Sequence, residues 1–251
     1  MKPITSQEII DYMEANIQKF HQKRIESLQK LKFKNIIKRK NPYLFKAKNI
    51  NTASEFVTTI LDAFLSSQEE GIFGGFLEGL AIFICSHVYD GQKSSAEGID
   101  LEFKKDNARY IVSIKSGPNW GNSSQIKKMK DNFRKAKRIL RTNTSSMNVI
   151  AVNGCCYGKN RVPDKSDYLK LCGQEFWWFI SGNDNLYTDI IEPLGHKAKE
   201  KNNLFTQEYA RVINQFTLEF ITTFCDSKGN IRWEEIVRFN ARKEPPLTPP
   251  S

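Results

Sequence analysis

Between residues 98 and 153 the hydrophobic pattern changes period repeatedly, and that succession restricts the possible folds more than any other part of the chain. GIDLEF and YIVSIK, on either side of KKDNA, read as two short strands joined by a loop of hairpin length. Residues 123–141 then show helical spacing, with Ile126, Met129, Phe133, Ala136 and Leu140 on one stripe behind Ser123 or Ser124 as cap. MNVIAVNG follows as a buried strand that ends in the turn-rich GCCYGKN. Strands at 99–103, 110–115 and 148–153 with helices around them predict an α/β domain, a central mixed β-sheet flanked by helices.

Other helices are expected at 6–31, capped by Thr5 or Ser6, and at 173–181, the aromatic GQEFWWFIS, with a final long one at 206–225. An apolar run at 56–65 behind a cap at Thr52 or Ser54 is followed by a second, nearly all-apolar helix at 73–87. Glu78 is the exception on that helix, and a lone carboxylate in such surroundings needs a partner or a cation. Between residues 19 and 48 stand eleven Lys or Arg against one acid, Glu26. This pattern divides the chain into a basic N-terminal helical segment (1–50), a core with its C-terminal helix (51–240) and a flexible tail (241–251), where EPPLTPPS is expected to fray.

The chain's 251 residues, 39% apolar and 12% aromatic, can bury a real core. Its net charge of +10 favours a polyanionic partner such as nucleic acid. No stretch reads as an uninterrupted membrane span and the N-terminus lacks a secretion signal, so no membrane partner is expected and the cytoplasm is the default location. Five cysteines without C-x-x-C spacing read as reduced packing groups. No G-x-S-x-G and no G-x-x-x-x-G-K-[ST] is present, which argues against nucleophilic-serine chemistry and ATP use.

Residues two apart on a strand share a face, so Asp100 pairs with Glu102 and Ser113 with Lys115. If the strands form a hairpin, the two sets meet. Paired carboxylates can hold a hard cation such as Mg²⁺, and an adjacent ammonium can stabilise a pentacoordinate phosphoryl transition state or help a water lose its proton. An ordinary amphipathic hairpin would carry the same residues on its wet face. YIVSIK, however, is too apolar for an openly hydrated strand, which puts Lys115 at the end of an interior one. Directly after it, SGPNWGNSSQ presents Asn119, Trp120, Asn122 and Gln125, side chains suited to base edges and to packing on sugar or base.

An acidic residue at a strand start, followed about fifteen positions later by a strand ending in lysine, resembles the PD-(D/E)xK nuclease core. AEGIDLEF, YIVSIKSGPNWGNSSQ, VNGCCYG, CGQEFWWFISGN and IEPLGHKAKEKN together resemble type II restriction endonucleases of the PmeII type, over about residues 70–240. The resemblance implies Asp100 as the metal-binding aspartate, Lys115 as the core lysine and Glu78 as the acid that completes the metal site from the preceding helix. Ser113 stands where the second acid of (D/E)xK usually is, and no Pro precedes Asp100. The second ligand is therefore open between Glu102 and Glu78, with Asp131 a weaker candidate. The resemblance also implies Mg²⁺ as cofactor, double-stranded DNA as substrate, a homodimer that cuts both strands of a palindrome, and a cognate DNA methyltransferase as functional partner.

The DNA-facing residues are expected in Asn119, Trp120, Asn122, Ser123, Ser124, Gln125, Lys127 and Lys128, at the head of a helix that carries eight basic residues against Asp131. Phe176, Trp177, Phe179 and Ile180 read as core, Glu175 as a salt-bridging group and His196 as a structural or phosphate-contacting histidine. A repair, recombination or RNA-processing nuclease on the same core is the alternative, and a non-catalytic nucleic-acid binder is a further one.

Overall fold

A computed structural model describes residues 2, 4–143 and 148–243, with only the backbone described for 141–143. Most of the expected tail, 244–251, lies outside the described residues. In chain order the elements are α1 (Ser6–Gln29), α2 (Phe33–Ile37), α3 (Pro42–Ala47), α4 (Ala53–Tyr89), β1 (Gln92–Lys93), β2 (Leu101–Lys105), β3 (Ala108–Lys115), α5 (Ser123–Asn143), β4 (Asn148–Cys155), β5 (Leu169–Cys172), α6 (Gln174–Ser181), α7 (Leu186–Asp189), α8 (Ile191–Leu194), α9 (Ala198–Phe224) and α10 (Trp233–Ala241).

Asp106 and Asn107 fix the hairpin. Both adopt left-handed backbone angles, φ +50° and +58°, in a two-residue turn whose twist matches that of the flanking strands. The loop is thus shorter than the five-residue KKDNA, and Leu101 pairs with Val112 and Glu102 with Ile111. The five strands lie in the order β1-β2-β3-β4-β5, antiparallel across β1, β2 and β3, then parallel from β3 to β5. This is the mixed sheet expected, with two short strands, β1 and β5, added at its edges.

The chain divides into two compact units: the described residues of Met1–Phe20 with Glu70–Ala198, and those of His21–Glu69 with Lys199–Ser251. The packing divides inside α1 and α4 rather than at 50/51, because both helices carry apolar residues along their whole length and supply both cores. In the first unit Leu101, Phe103, Val112, Ile114 and Val152 pack on one sheet face against Ile9, Met13, Leu80, Ile84, Phe176 and Trp177. Ile111, Val149 and Ala151 pack on the other face against Met129, Phe133 and Ala136 of α5. β3 is therefore covered on both sides, as its apolar sequence requires. Among its described residues the second unit carries helices and a single bridge between Cys225 and Ile231, with Leu28, Phe33, Ile36, Phe56, Ile60, Phe216, Phe220 and Ile236 in its core.

Three helix expectations are corrected. The runs at 56–65 and 73–87 are one helix, α4, since no proline interrupts them and Gly71 costs only about 1 kcal/mol against continuous packing. Part of α4 is also long and apolar enough, by length and composition, to cross a membrane, where no such stretch was expected; its apolar side chains supply the two cores. The cap of α5 is Asn122, not Ser123 or Ser124: its Oδ1 accepts from the Gln125 N–H at 3.0 Å while Gln125 Oε1 accepts from the Asn122 N–H at 3.0 Å.

Candidate active site

Asp100 enters immediately before β2, and the hairpin ladder holds it. Its N–H donates to the Val112 carbonyl at 2.8 Å, and its Oδ2 accepts from the Ile114 N–H at 2.7 Å. Lys115 is the last residue of β3, and its Nζ lies 3.9 Å from that same Oδ2. The two side chains share a face at the open end of the sheet, 22% and 30% exposed, shielded but reachable.

Glu78 joins them from α4. Burial pushes its carboxyl above the usual range, the charge of Asp100 adds to that, and Lys93 and Lys115 oppose it. Its Oε1 lies 3.7 Å from Nζ of Lys93 on β1. A half-buried carboxyl raised further by the charge of a second one, beside two ammonium groups, is an arrangement that a divalent cation would relieve. Among the described residues no three His, Cys, Asp or Glu side chains converge as a protein-only cage. One or two carboxylates suit Mg²⁺, which keeps positions for water and substrate phosphate, so Asp100 and Glu78 could hold it.

Glu102 is placed differently. Its Oε1 accepts from the Ser94 hydroxyl, and its Oε2 accepts from Nη2 and Nε of Arg109 at 2.6 and 3.2 Å. Both oxygens of this buried carboxylate are engaged, Oε1 by the hydroxyl and Oε2 by the guanidinium. Asp131 is bound to Arg134 at 2.9 Å on the exposed face of α5. Ser113 is buried, and its carbonyl accepts from Nδ2 of Asn153 at 3.2 Å.

The segment after Lys115 is committed to holding that lysine. The Trp120 ring centroid lies 5.3 Å from Lys115 Nζ, and the Trp120 indole N–H donates to Oδ1 of buried Asn153 at 3.1 Å. Asn122 and Gln125 give their side-chain oxygens to the cap of α5, and the Ser124 hydroxyl donates to Asn122 Oδ1 at 2.8 Å. Asn119, Ser123 and Lys127 are exposed. Lys128 and Lys135 pair with Glu97, and Lys130 and Arg134 with Asp167, whose carboxyl they hold below the ordinary range. The basic face of α5 is thus partly neutralised by acids distant in sequence. His196 lies 3.2 Å from Glu14.

Two residues of the site escape sequence reading. Lys93 sits on β1, where no strand was expected. Asn153 carried a signal, a polar side chain inside an otherwise apolar strand, but its partner is thirty-three positions away in Trp120.

No curated protein matches the chain. Residues 7–202, most of its length and every strand of the sheet, match the family described as Type II restriction endonuclease EcoO109I. The chain belongs to that family of type II restriction endonucleases.

Proposed function

We propose that the protein is a Mg²⁺-dependent endonuclease that hydrolyses phosphodiester bonds of double-stranded DNA at specific sequences, with chemistry of the PD-(D/E)xK kind and a likeness to PmeII-type enzymes. The observation that carries this reading is the approach of Lys115 to Asp100, at 3.9 Å, at the end of a covered strand. Asp100 and Glu78 hold the cation, which when bound neutralises charge at the scissile phosphate. Asp100 is fixed for this by the Ile114 N–H. Lys115 orients the attacking water, takes up its proton or stabilises the negative charge that develops on the phosphoryl oxygens, and Trp120 keeps its ammonium in place. Glu102 anchors the hairpin through Arg109 instead of binding the cation.

The chain acts as a homodimer in this reading, since two symmetry-related centres are the simplest means of cutting both strands of a palindrome. A cognate methyltransferase protects the host DNA in the cytoplasm. Incubation with plasmid and Mg²⁺ is the test. Discrete fragments are expected, with Asp100→Asn and Lys115→Ala each slowing cleavage at least about a hundredfold while DNA binding persists. Smeared or structure-dependent nicking would instead support a repair nuclease, and no cleavage at all a DNA-binding protein.

A further inference from the structure

A cleft of about 700 Å³ lies at the C-terminal ends of β4 and β5, and Tyr157, Lys159, Arg161, Gln174, Glu175 and Tyr187 are among its lining residues. Backbone ties it to the catalytic strand: the N–H groups of Cys156 and Tyr157 donate to the carbonyls of Lys115 and Ser116 at 2.9 and 3.0 Å. The Tyr157 ring lies so close over Gly117 that a Cβ there would stand 2.3 Å from its Cζ. Gly158, at φ +91°, approaches Pro118 similarly, a Cβ meeting the proline ring at 2.6 Å. Asn160 donates to the carbonyls of Val162 and Lys170 at 2.8 and 3.0 Å, so the loop is braced from within.

The charged side chains on this rigid wall are uncommitted. Among the described residues Lys159, Arg161 and Glu175 make no hydrogen bond or ion pair, whereas five basic residues of α5 do. Gln174 donates to the Asp184 carbonyl at 3.1 Å, which leaves its own oxygen to accept. A phosphate site needs donors only. This cleft offers a carboxylate and an amide oxygen beside its cations, a mixture suited to base edges, which present donors and acceptors together.

We propose that this cleft reads bases of the DNA next to the scissile phosphate, with Arg161 and Glu175 as specificity-determining residues; the proposal rests on the nuclease reading above. Arginine donates to N7 and O6 of guanine and a carboxylate accepts from the N4 amine of cytosine, so a G·C pair satisfies both. Tyr157 and Tyr187, 55% and 41% exposed, give the cleft ring and hydroxyl surface for the same strand. Of the residues at 119–125, Asn122 and Gln125 already give their side-chain oxygens to the cap of α5 and Trp120 gives its indole to Asn153.

The test compares sequenced cut ends and cleavage rates for the wild-type chain, Arg161→Gln and Glu175→Gln. Each variant is expected to cut the wild-type site about ten- to a hundredfold more slowly and to admit sites in which a G·C pair is replaced. Should either variant melt early, Arg161→Lys and Glu175→Asp keep the charge, alter the reach, and must shift the ends in the same way. Unchanged ends and rates would overturn the proposal. So would unchanged ends combined with binding weakened alike on all sequences and a salt slope reduced by about one per lost cation, which marks phosphate contact. If the wild-type chain gives no discrete ends, the nuclease reading fails first and this one with it.

Discussion

Glu78 and Glu102 are both candidates by residue type, and their neighbours separate them. Glu102 has Arg109 and Ser94 on its oxygens, while Glu78 shares its surroundings with Asp100 and Lys115. Glu78→Gln should therefore lower Mg²⁺-dependent cleavage by about a hundredfold with little change in melting. Glu102→Gln should instead cost about 2 kcal/mol of stability, several degrees in melting temperature, because it removes the charge that the Arg109 guanidinium meets at Oε2. Period-two alternation placed Asp100, Glu102 and Lys115 on one face correctly. It could not show that Arg109 lies diagonally across the ladder from Glu102, two residues from its partner Ile111, since that depends on the turn being two residues long. Trp120→Phe keeps the ring over Lys115 but leaves Oδ1 of buried Asn153 with only the weak Cys155 thiol as donor; a loss of about 1–3 kcal/mol in denaturant melts is expected.

Helix ends were legible as neighbourhoods, and the bonding atom within each was not. Thr5 and Thr52 cap α1 and α4, each one of the two residues named for its position. At α5 the serines drew attention, yet Asn122 precedes them with Gln125 three residues on, a reciprocal box that stands in the sequence. Asn122→Ala should cost about 1 kcal/mol, measured by thermal melting. β1 is two residues long and β5 four, too short for alternation to register, and they exist because a formed β2 and β4 offer them ladder bonds. Between α9 and α10, Asp226 accepts from the N–H groups of Lys228 and Asn230 and from the Asn230 side chain, and Asn230 holds its carboxyl below the ordinary range. A lowered folded-state value means that this stabilisation is present above the unfolded carboxylate range, near pH 4, and is lost as pH falls through the folded value. Asp226→Asn should accordingly shrink the drop in melting temperature on acidification below about pH 4.

At the scale of the whole chain, composition located the chemistry only broadly. A charge of +10 is compatible with DNA, but on α5 much of it is already matched by Glu97 and Asp167. The family likeness, read from short blocks, reached the class of type II restriction endonucleases; the extended match is to the EcoO109I family. All five cysteines are free and buried, and burial pushes every thiol up, that of Cys155 to about 12. An aromatic disulfide reagent at neutral pH should react slowly with the native protein and reach five thiols only in denaturant.

Neither compact unit is a continuous length of polypeptide, since the chain leaves the sheet-bearing unit at residue 20, returns at 70 and leaves again after 198. No single cut can therefore release either one whole. A polypeptide begun at residue 51 would arrive without Ile9 and Met13 for one interior and without Leu28, Phe33, Ile36 and Ile37 for the other. Shortening this enzyme from its N-terminus should thus yield insoluble material rather than a minimal catalyst.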